Sequence, residues 1–369
     1  MATRATLCNS SNLMQVLSSL LLPPRGGSRQ EAMDGLTRGL RNLSREQFNQ
    51  LVALAGSNHV VMRALNVIVG LMYQAQDAER AEWAAQALET EGRRIANALG
   101  FLKTICAEFE SRGHNVAVIK SLDHWPDLGS DLDLYSDTNA DNVRRLMHAA
   151  FGAKTAPRSW GDRLAHKWNF ILPGLPELVE VHVGRLGQTG EQVAIASGLM
   201  TRTRIAEFGG FAFRLTSASD RLMISTLQRM YRHFYFRLCD IVDSCGLLES
   251  GEVNFGELRA LAREAGIWEG VATYLVIVSD YVKQYRGEGI ALPEFVTAAA
   301  RFRGDAIYFG REFLRVPILP QSAGLYGTQL AGTLRKFELH NGARLSLLPW
   351  LATAAAIGQK LTGSDKGIW

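Results

Sequence analysis

Apolar positions recur along the chain in two rhythms, and the switch between them divides it. Up to residue 113 the spacing is helical. Ile95, Leu99, Leu102, Ile105, Cys106 and Phe109 fall on one face. Ala78 to Ser111 holds no proline and is rich in Ala, Glu, Arg and Leu, which form helices readily. Gly113 stands where a left-handed cap would end that helix. Upstream, Ser44-x-x-Gln47 is a capping-box pattern opening a segment with Phe48, Leu51 and Leu54.

From residue 114 the period shortens to two. Val116–Ile119, Asp131–Tyr135, Trp168–Leu172, Leu178–Val183 and Phe211–Leu215 read as strands. The turn Pro173–Pro176 predicts a hairpin between two of them. Asn142–Phe151 is a helical insert, with Val143, Leu146, Met147 and Ala150 on one side and Gly152 as its stop. From 217 the helical rhythm returns. Met223, Leu227, Met230, Phe234, Leu238, Ile241 and Cys245 step by three or four, which predicts one long helix with a buried stripe. The remainder reads as helix, with a short extended piece at Phe313–Leu319. The expected fold is α+β. A helical region over 1–94 and a helical domain over 217–369 flank a small mixed β-sheet core over 95–216.

Composition narrows the class. Of 369 residues, 47% are hydrophobic, so a sizeable core is possible and global disorder is excluded. A net charge of +4 argues against an obligate nucleic-acid coat protein. Cys8, Cys106, Cys239 and Cys245 make no CxxC pair and no zinc spacing, and Cys239 and Cys245 read as buried. A reduced, cytoplasmic protein is expected. The apolar stretches Leu13–Leu22 and Leu345–Gly358 are too short for a membrane span of about 20 residues. The second is read as a buried helix or an amphipathic surface helix. No secretion signal is expected.

The chemistry concentrates in Val116–Tyr135. Asp131 and Asp133 alternate with Leu132 and Leu134, so the two carboxylates share a strand face roughly 7 Å apart. Their repulsion is on the order of 2 kcal/mol at an effective dielectric of about 20, which a cation between them would relieve. In Leu178–Val183, Glu180 and His182 share the face opposite Val179, Val181 and Val183. Pairing that strand with the first would bring a third carboxylate to the aspartates. Three hard oxygen donors suit Mg²⁺ shared with substrate phosphates. An EF-hand is excluded, because Ser136 stands where its glycine belongs. No dinucleotide-binding glycine motif, Walker loop, nucleophile elbow or His-Glu-x-x-His is present.

This order of features resembles the nucleotidyltransferase fold of the DNA polymerase β superfamily: a hydrophobic strand, Gly with Gly or Ser, a spacer, Asp-x-Asp, then an acidic strand. More narrowly, it is similar to a bacterial nucleotidyltransferase family carrying Lys-Gly, Gly-Asp-x-Asp and acid-x-His. Here these positions read Lys120-Ser121, Ser130-Asp131-Leu132-Asp133 and Glu180-Val181-His182, and the segment around His233, Arg237, Leu238, Asp240 and Ile241 is similar to that family's downstream helix. The resemblance spans about residues 95 to 248. It departs at the glycine after the first strand, which Lys120 or Ser121 replaces according to register.

The resemblance implies transfer of a nucleotidyl group from an NTP to a hydroxyl acceptor, with Mg²⁺ or Mn²⁺ held by Asp131, Asp133 and Glu180. Glu180 would be the third ligand or the general base. Nucleotide binding would fall to Lys120, Ser121, Ser130, His182, Arg229, His233 and Arg237. Ser121 would offer its hydroxyl and N–H. The acceptor is left open among a small molecule, a protein and RNA. Two alternatives remain: a non-catalytic binding or scaffold protein, with a protein partner on a helical flank, and a toxin-like enzyme modifying tRNA. Residues 154–237 hold twelve Lys and Arg against six Asp and Glu, which suits a triphosphate or RNA. Arg229, His233, Arg237 and Asp240 are expected as a stripe on the long helix, walling a cleft.

Overall fold

A computed structural model describes residues 2–351, 353 and 354. The Cys8 side chain and the end of the Leu345–Gly358 stretch lie outside that description. Among the described residues the chain opens with α1 (Ala2–Leu21), α2 (Ser28–Arg41), α3 (Arg45–Ser57), α4 (Val61–Gln74) and α5 (Ala78–Ser111). The capping box is present: Ser44 Oγ accepts from the Gln47 N–H, and the Gln47 side chain accepts from the Ser44 N–H. Helix α5 ends with Gly113 at φ +73°, the left-handed conformation that glycine adopts without a Cβ penalty.

The strands are β1 (Val116–Val118), β2 (Asp131–Ser136), β3 (Lys154–Thr155), β4 (Lys167–Ile171), β5 (Leu178–Val183), β6 (Arg204–Phe208) and β7 (Phe211–Leu215). They form one mixed sheet in the order β3-β4-β5-β2-β1-β7-β6. β2 pairs with β5 and β1 with β7 in parallel; the other neighbours are antiparallel, including the expected β4–β5 hairpin. The fold is α+β, as the alternation of periods predicts.

Period-two alternation decides what each face of the sheet does. Leu132, Leu134, Val179 and Val181 point to one face and pack with Leu99, Leu102, Ile105 and Phe109 of α5 and with Leu146 and Met147 of the helix α6 (Ala140–Phe151). Burial of each such side chain stabilises by roughly 1.5–3 kcal/mol. Asp131, Asp133, Glu180 and His182 are thereby left on the other face, toward the C-terminal helices.

The expected long helix is broken. Helix spans Ala218–Thr226, a wide π turn follows over Leu227–His233, and Phe234 adopts a left-handed conformation at φ +55°. Tyr235 and Phe236 then form a strand that pairs with Phe313–Arg315, and the Val316 N–H donates to the Phe234 carbonyl at 2.8 Å. These backbone bonds to a distant strand replace the helical ones. A new helix resumes at Leu238–Glu249. The apolar stripe survives the break because all three pieces face one core: Met223, Leu227, Met230, Leu238, Ile241 and Cys245 are buried, and Phe234 is half-buried. A second, three-stranded sheet therefore lies within the C-terminal helical part, and its central strand is the short extended piece read near 313. No described helix is long and apolar enough to cross a membrane.

Asn58 fastens the helical flank to this break. Its Oδ1 accepts from the Leu238 N–H at 2.9 Å, and its Nδ2 donates to the carbonyls of Leu54 and Glu312, each at 3.0 Å. Its own carbonyl accepts from the Cys239 N–H at 3.2 Å. The side chain is fully buried. Asn58→Ala leaves the buried Leu238 N–H without its partner and frees the carbonyl of the exposed Glu312, and a loss of about 1–3 kcal/mol in unfolding free energy is expected from denaturant titration. A change within about 0.5 kcal/mol, the range of an inert surface substitution, would show that the staple carries no weight.

Candidate functional site

Parallel pairing of β2 and β5 places Asp133 directly opposite Glu180, and Asp131 opposite Leu178. Two carboxylates facing across neighbouring strands need counter-charge, and two lysines supply it. The Lys120 ammonium is ion-paired with Asp133 Oδ1 and lies 3.4 Å from Glu180 Oε1. Lys167 Nζ lies 2.8 Å from Glu180 Oε2 and 2.9 Å from Asp162 Oδ1. His182 Nε2 is 2.8 Å from Glu180 Oε1 and 3.9 Å from Asp133 Oδ1.

Protonation follows from this packing. Burial, set against the Lys120 charge and helped by the charge of Glu180, raises the Asp133 carboxyl to about 7. Burial and the Glu180 charge also raise Asp131. Glu180 moves the other way: against its burial, Lys167 and Lys120 hold it well below the usual carboxylate range. Burial and the Lys120 charge lower His182 to about 4, so the ring is neutral and its Nε2–H donates to Glu180. His182 Nδ1 is buried without a partner.

Lys120 is one of the two residues, with Ser121, that stand where the resemblance leads one to expect glycine, and its backbone conformation is one that suits glycine. Its φ is +60° and ψ is −57°, and the Ser121 N–H donates to the Ile119 carbonyl at 2.6 Å. That is a γ-turn of the strained hand. Ser121 is turned inward. Its hydroxyl donates to the Asp131 carbonyl at 3.2 Å and accepts from the Asp133 N–H at 2.7 Å. Both groups expected to meet a phosphate are thus engaged by backbone, the hydroxyl by β2 and the N–H by Ile119 just after β1.

The acidic face forms the floor of a cavity of ≈ 210 Å³. Ser121, Ser130, Arg229, His233 and Arg237 line it together with the acidic trio and Lys120. The structure brings these sequence-nominated residues together, but not on one helix. Arg229 lies in the π turn, His233 ends it, and Arg237 precedes the next helix. Arg229 is buried, with Nε 2.7 Å from Asp240 Oδ2, so its charge is already matched. Burial and the cations of Arg232, Arg229 and Arg237 hold the His233 ring well below the usual histidine range, and it stays neutral. Tyr235 stacks on Phe313 at 4.4 Å between centroids, and Arg237 lies 5.8 Å from the Phe313 ring.

Sequence reasoning missed His59, His124, Lys167 and Arg232, which also line the cavity. Lys167 carried a signal: beginning that strand one residue earlier places Lys167 on the face of Asn169 and opposite His182. His59 and His124 carried none, since their nearness depends on how the flank packs.

No family model matches the chain, and no curated protein matches it. Among solved structures it is similar to an antigenic nucleotidyltransferase-like protein from Paracoccidioides brasiliensis, at 16% identity and a TM-score of 0.33. That match covers 52% of this chain and 94% of the other.

Asp133 binds its proton more tightly in the folded chain than in the unfolded one. Its contribution to stability is therefore full below about 4 and is lost as pH rises toward about 7. In wild type, a carbon-13 carboxyl resonance should titrate near 7. Asp133→Asn should lose that resonance and flatten the fall in stability between those limits. A carboxyl that titrates entirely below 5 would overturn this account of the floor.

Proposed function

We propose that the chain is a nucleotidyltransferase that takes an NTP into the cavity, with Mg²⁺ or Mn²⁺, and transfers its nucleotidyl group to a hydroxyl acceptor. The observation that carries this reading is the register of β2 on β5, which sets an all-oxygen acidic floor against a basic wall in one cavity. Asp131, Asp133 and Glu180 are hard donors of the kind that suits these ions, and Asp133, Glu180 and His182 offer ligand atoms within 4.8 Å of one another. The Lys120 ammonium lies between Asp133 and Glu180, as the cation this pair of carboxylates requires, so a metal would share or take its place. When bound, the metal would stabilise negative charge on the reacting phosphate and acidify the acceptor hydroxyl.

The chain's own residues do the remaining work. Arg232 and Arg237 orient the triphosphate from the wall, and Lys120 faces it from the floor. The acceptor oxygen attacks the α-phosphorus and pyrophosphate leaves. Glu180, ionised by its lysine partners, serves as the third ligand, and the acceptor proton leaves to solvent. Small molecule, protein and RNA hydroxyls all remain acceptor classes for this chemistry.

A second reading rests on Lys120 and Lys167 themselves. The carboxylates are already neutralised from within, so the same cavity would suit a binding protein that holds a nucleotide without turnover.

The purified chain, incubated with each NTP and Mg²⁺ or Mn²⁺, should release pyrophosphate and label an acceptor. Asp133→Ala should lower that rate by more than about 10²-fold, beyond what loss of an outer partner of a metal ligand costs. Equal rates in variant and wild type would end the catalytic reading. Calorimetry separates the second reading: ATP binding without metal, strengthened by Asp133→Ala and accompanied by no pyrophosphate release, is its signature.

A further inference from the structure

A second cluster borders the same cavity and differs in chemistry from the acidic floor. His59 follows α3, His124 ends the short turn Ser121–His124, and Cys239 lies in the first turn of the helix Leu238–Glu249. One donor atom from each lies within 4.8 Å of the other two. His124 Nε2 is 3.9 Å from Cys239 Sγ. Tetrahedral Zn²⁺, with its usual bonds to sulfur and nitrogen, places such atoms about 3.6 Å apart.

The cluster is held as metal ligands are held. His124 Nδ1 lies 2.5 Å from Asp243 Oδ2, which fixes the ring and directs Nε2 at the sulfur. Arg63 pins Asp243 at 2.5 Å and Asp127 at 2.7 Å, and it donates to the His59 carbonyl at 3.2 Å. Asn58, the residue before His59, is bonded to both Leu238 and Cys239. Gly129 closes on the His59 ring: a Cβ there would lie 3.1 Å from its Cε1. His59 Nδ1 is buried and has no hydrogen-bond partner.

Charge also fits. Around His124, Asp127 and Asp243 face a single Arg63, so with His124 deprotonated at Nε2, as a ligand must be, a Cys239 thiolate would bring the local balance to that of a divalent cation's counter-charge. Arg229 is matched by Asp240. Burial, and after it the charge of Arg237 across the cavity, keeps His59 in its neutral, ligating form. The order Asp243–His124–Cys239 is also that of an activated thiol, but Cys239 has no exposed surface to offer a substrate.

We propose that His59, His124 and Cys239 form a binding site for a thiophilic divalent ion such as Zn²⁺, with a fourth position open to the cavity. Two nitrogens and a sulfur select such an ion over the Mg²⁺ or Mn²⁺ suited to the carboxylate floor. As the metal bonds form, the Cys239 thiol proton and the His124 Nε2 proton leave to solvent, and His124 keeps its Nδ1–H on Asp243. The open position takes water or a donor atom of whatever occupies the cavity. This site does not rest on nucleotidyl transfer and stands if that activity is absent.

The test is titration of the full, metal-stripped chain with Co²⁺, followed by absorbance. A thiolate-to-cobalt charge-transfer band should grow to one equivalent and vanish when Zn²⁺ is added. Cys239→Ser should abolish the band. Asp243→Asn should weaken binding by about 10–100-fold through His124. Asp133→Ala should leave the band intact, which separates this site from the acidic floor. Where Cys239→Ser does not fold, His59→Gln at a partly exposed ring serves in its place and should weaken the band or shift it. Absence of a band in the wild type, or a band unchanged in both Cys239→Ser and His59→Gln, overturns the proposal.

Discussion

The pairing of Asp133 with Glu180 across two parallel strands is the interaction around which the rest is arranged. Neighbouring strands lie about 4.8 Å apart, so two ionised carboxylates at that spacing repel by about 3 kcal/mol at an effective dielectric of about 20. Neither can leave, because Leu134 and Val181 beside them are locked into the opposite core. A one-residue slip would relieve the repulsion only by burying every charge on the apolar side. The strain is met instead by importing cations: Lys120 from the end of β1, Lys167 from β4, and the neutral His182 as a donor to Glu180. Each comes from a strand adjoining the pair or from the pair itself. Sheet order and site chemistry are in this sense one constraint.

The C-terminal half answers the same constraint from above. A straight helix through residues 223–245 would present Arg229, His233 and Arg237 as a ridge. The π turn and the left-handed Phe234 instead fold that ridge into a wall, with Arg229 turned back onto Asp240 beyond the break. Widened turns of this kind are often found at functional sites, where they redirect side chains that a regular helix would fan out. The N-terminal flank then completes the rim, since Asn58 bonds the segment just after the break and His59 enters the cavity beside it.

Much of this was legible in the sequence, and the reasons for the rest are specific. Strand alternation at Asp131–Tyr135 and Leu178–Val183 decided which side chains share a face, because one face had to be apolar. The same logic located Glu180 near the aspartates. The break at 227–237 was not legible: the stripe from Met223 to Cys245 keeps helical spacing, and only a partner strand some 80 residues later, Phe313–Arg315, takes the backbone bonds away. Tertiary context overrode a sound local pattern. The fate of Lys120 was hidden for a different reason. Its identity as a cation was visible, but not that its ammonium would pair with the carboxylates of the floor. His59, His124 and Cys239 are far apart in the chain, and nothing local joins them.

Lys120 shows how backbone and charge are coupled here. A left-handed γ-turn at a residue with a Cβ costs on the order of 1–3 kcal/mol, and glycine would avoid most of it. The residue in this strained turn is the one whose ammonium pairs with Asp133 and Glu180. The backbone cost is thus offset by neutralising two buried carboxylates, whose uncompensated charge would be more costly than the strain. Glycine at this position would relax the turn and leave the acidic floor to an external cation. Lysine keeps the floor neutral and makes any incoming cation compete with an ammonium tethered to the same strand. The affinity of a metal that bound the floor as proposed would therefore be set by the difference between two occupants. The turn at residue 120 decides which of them the fold favours at rest.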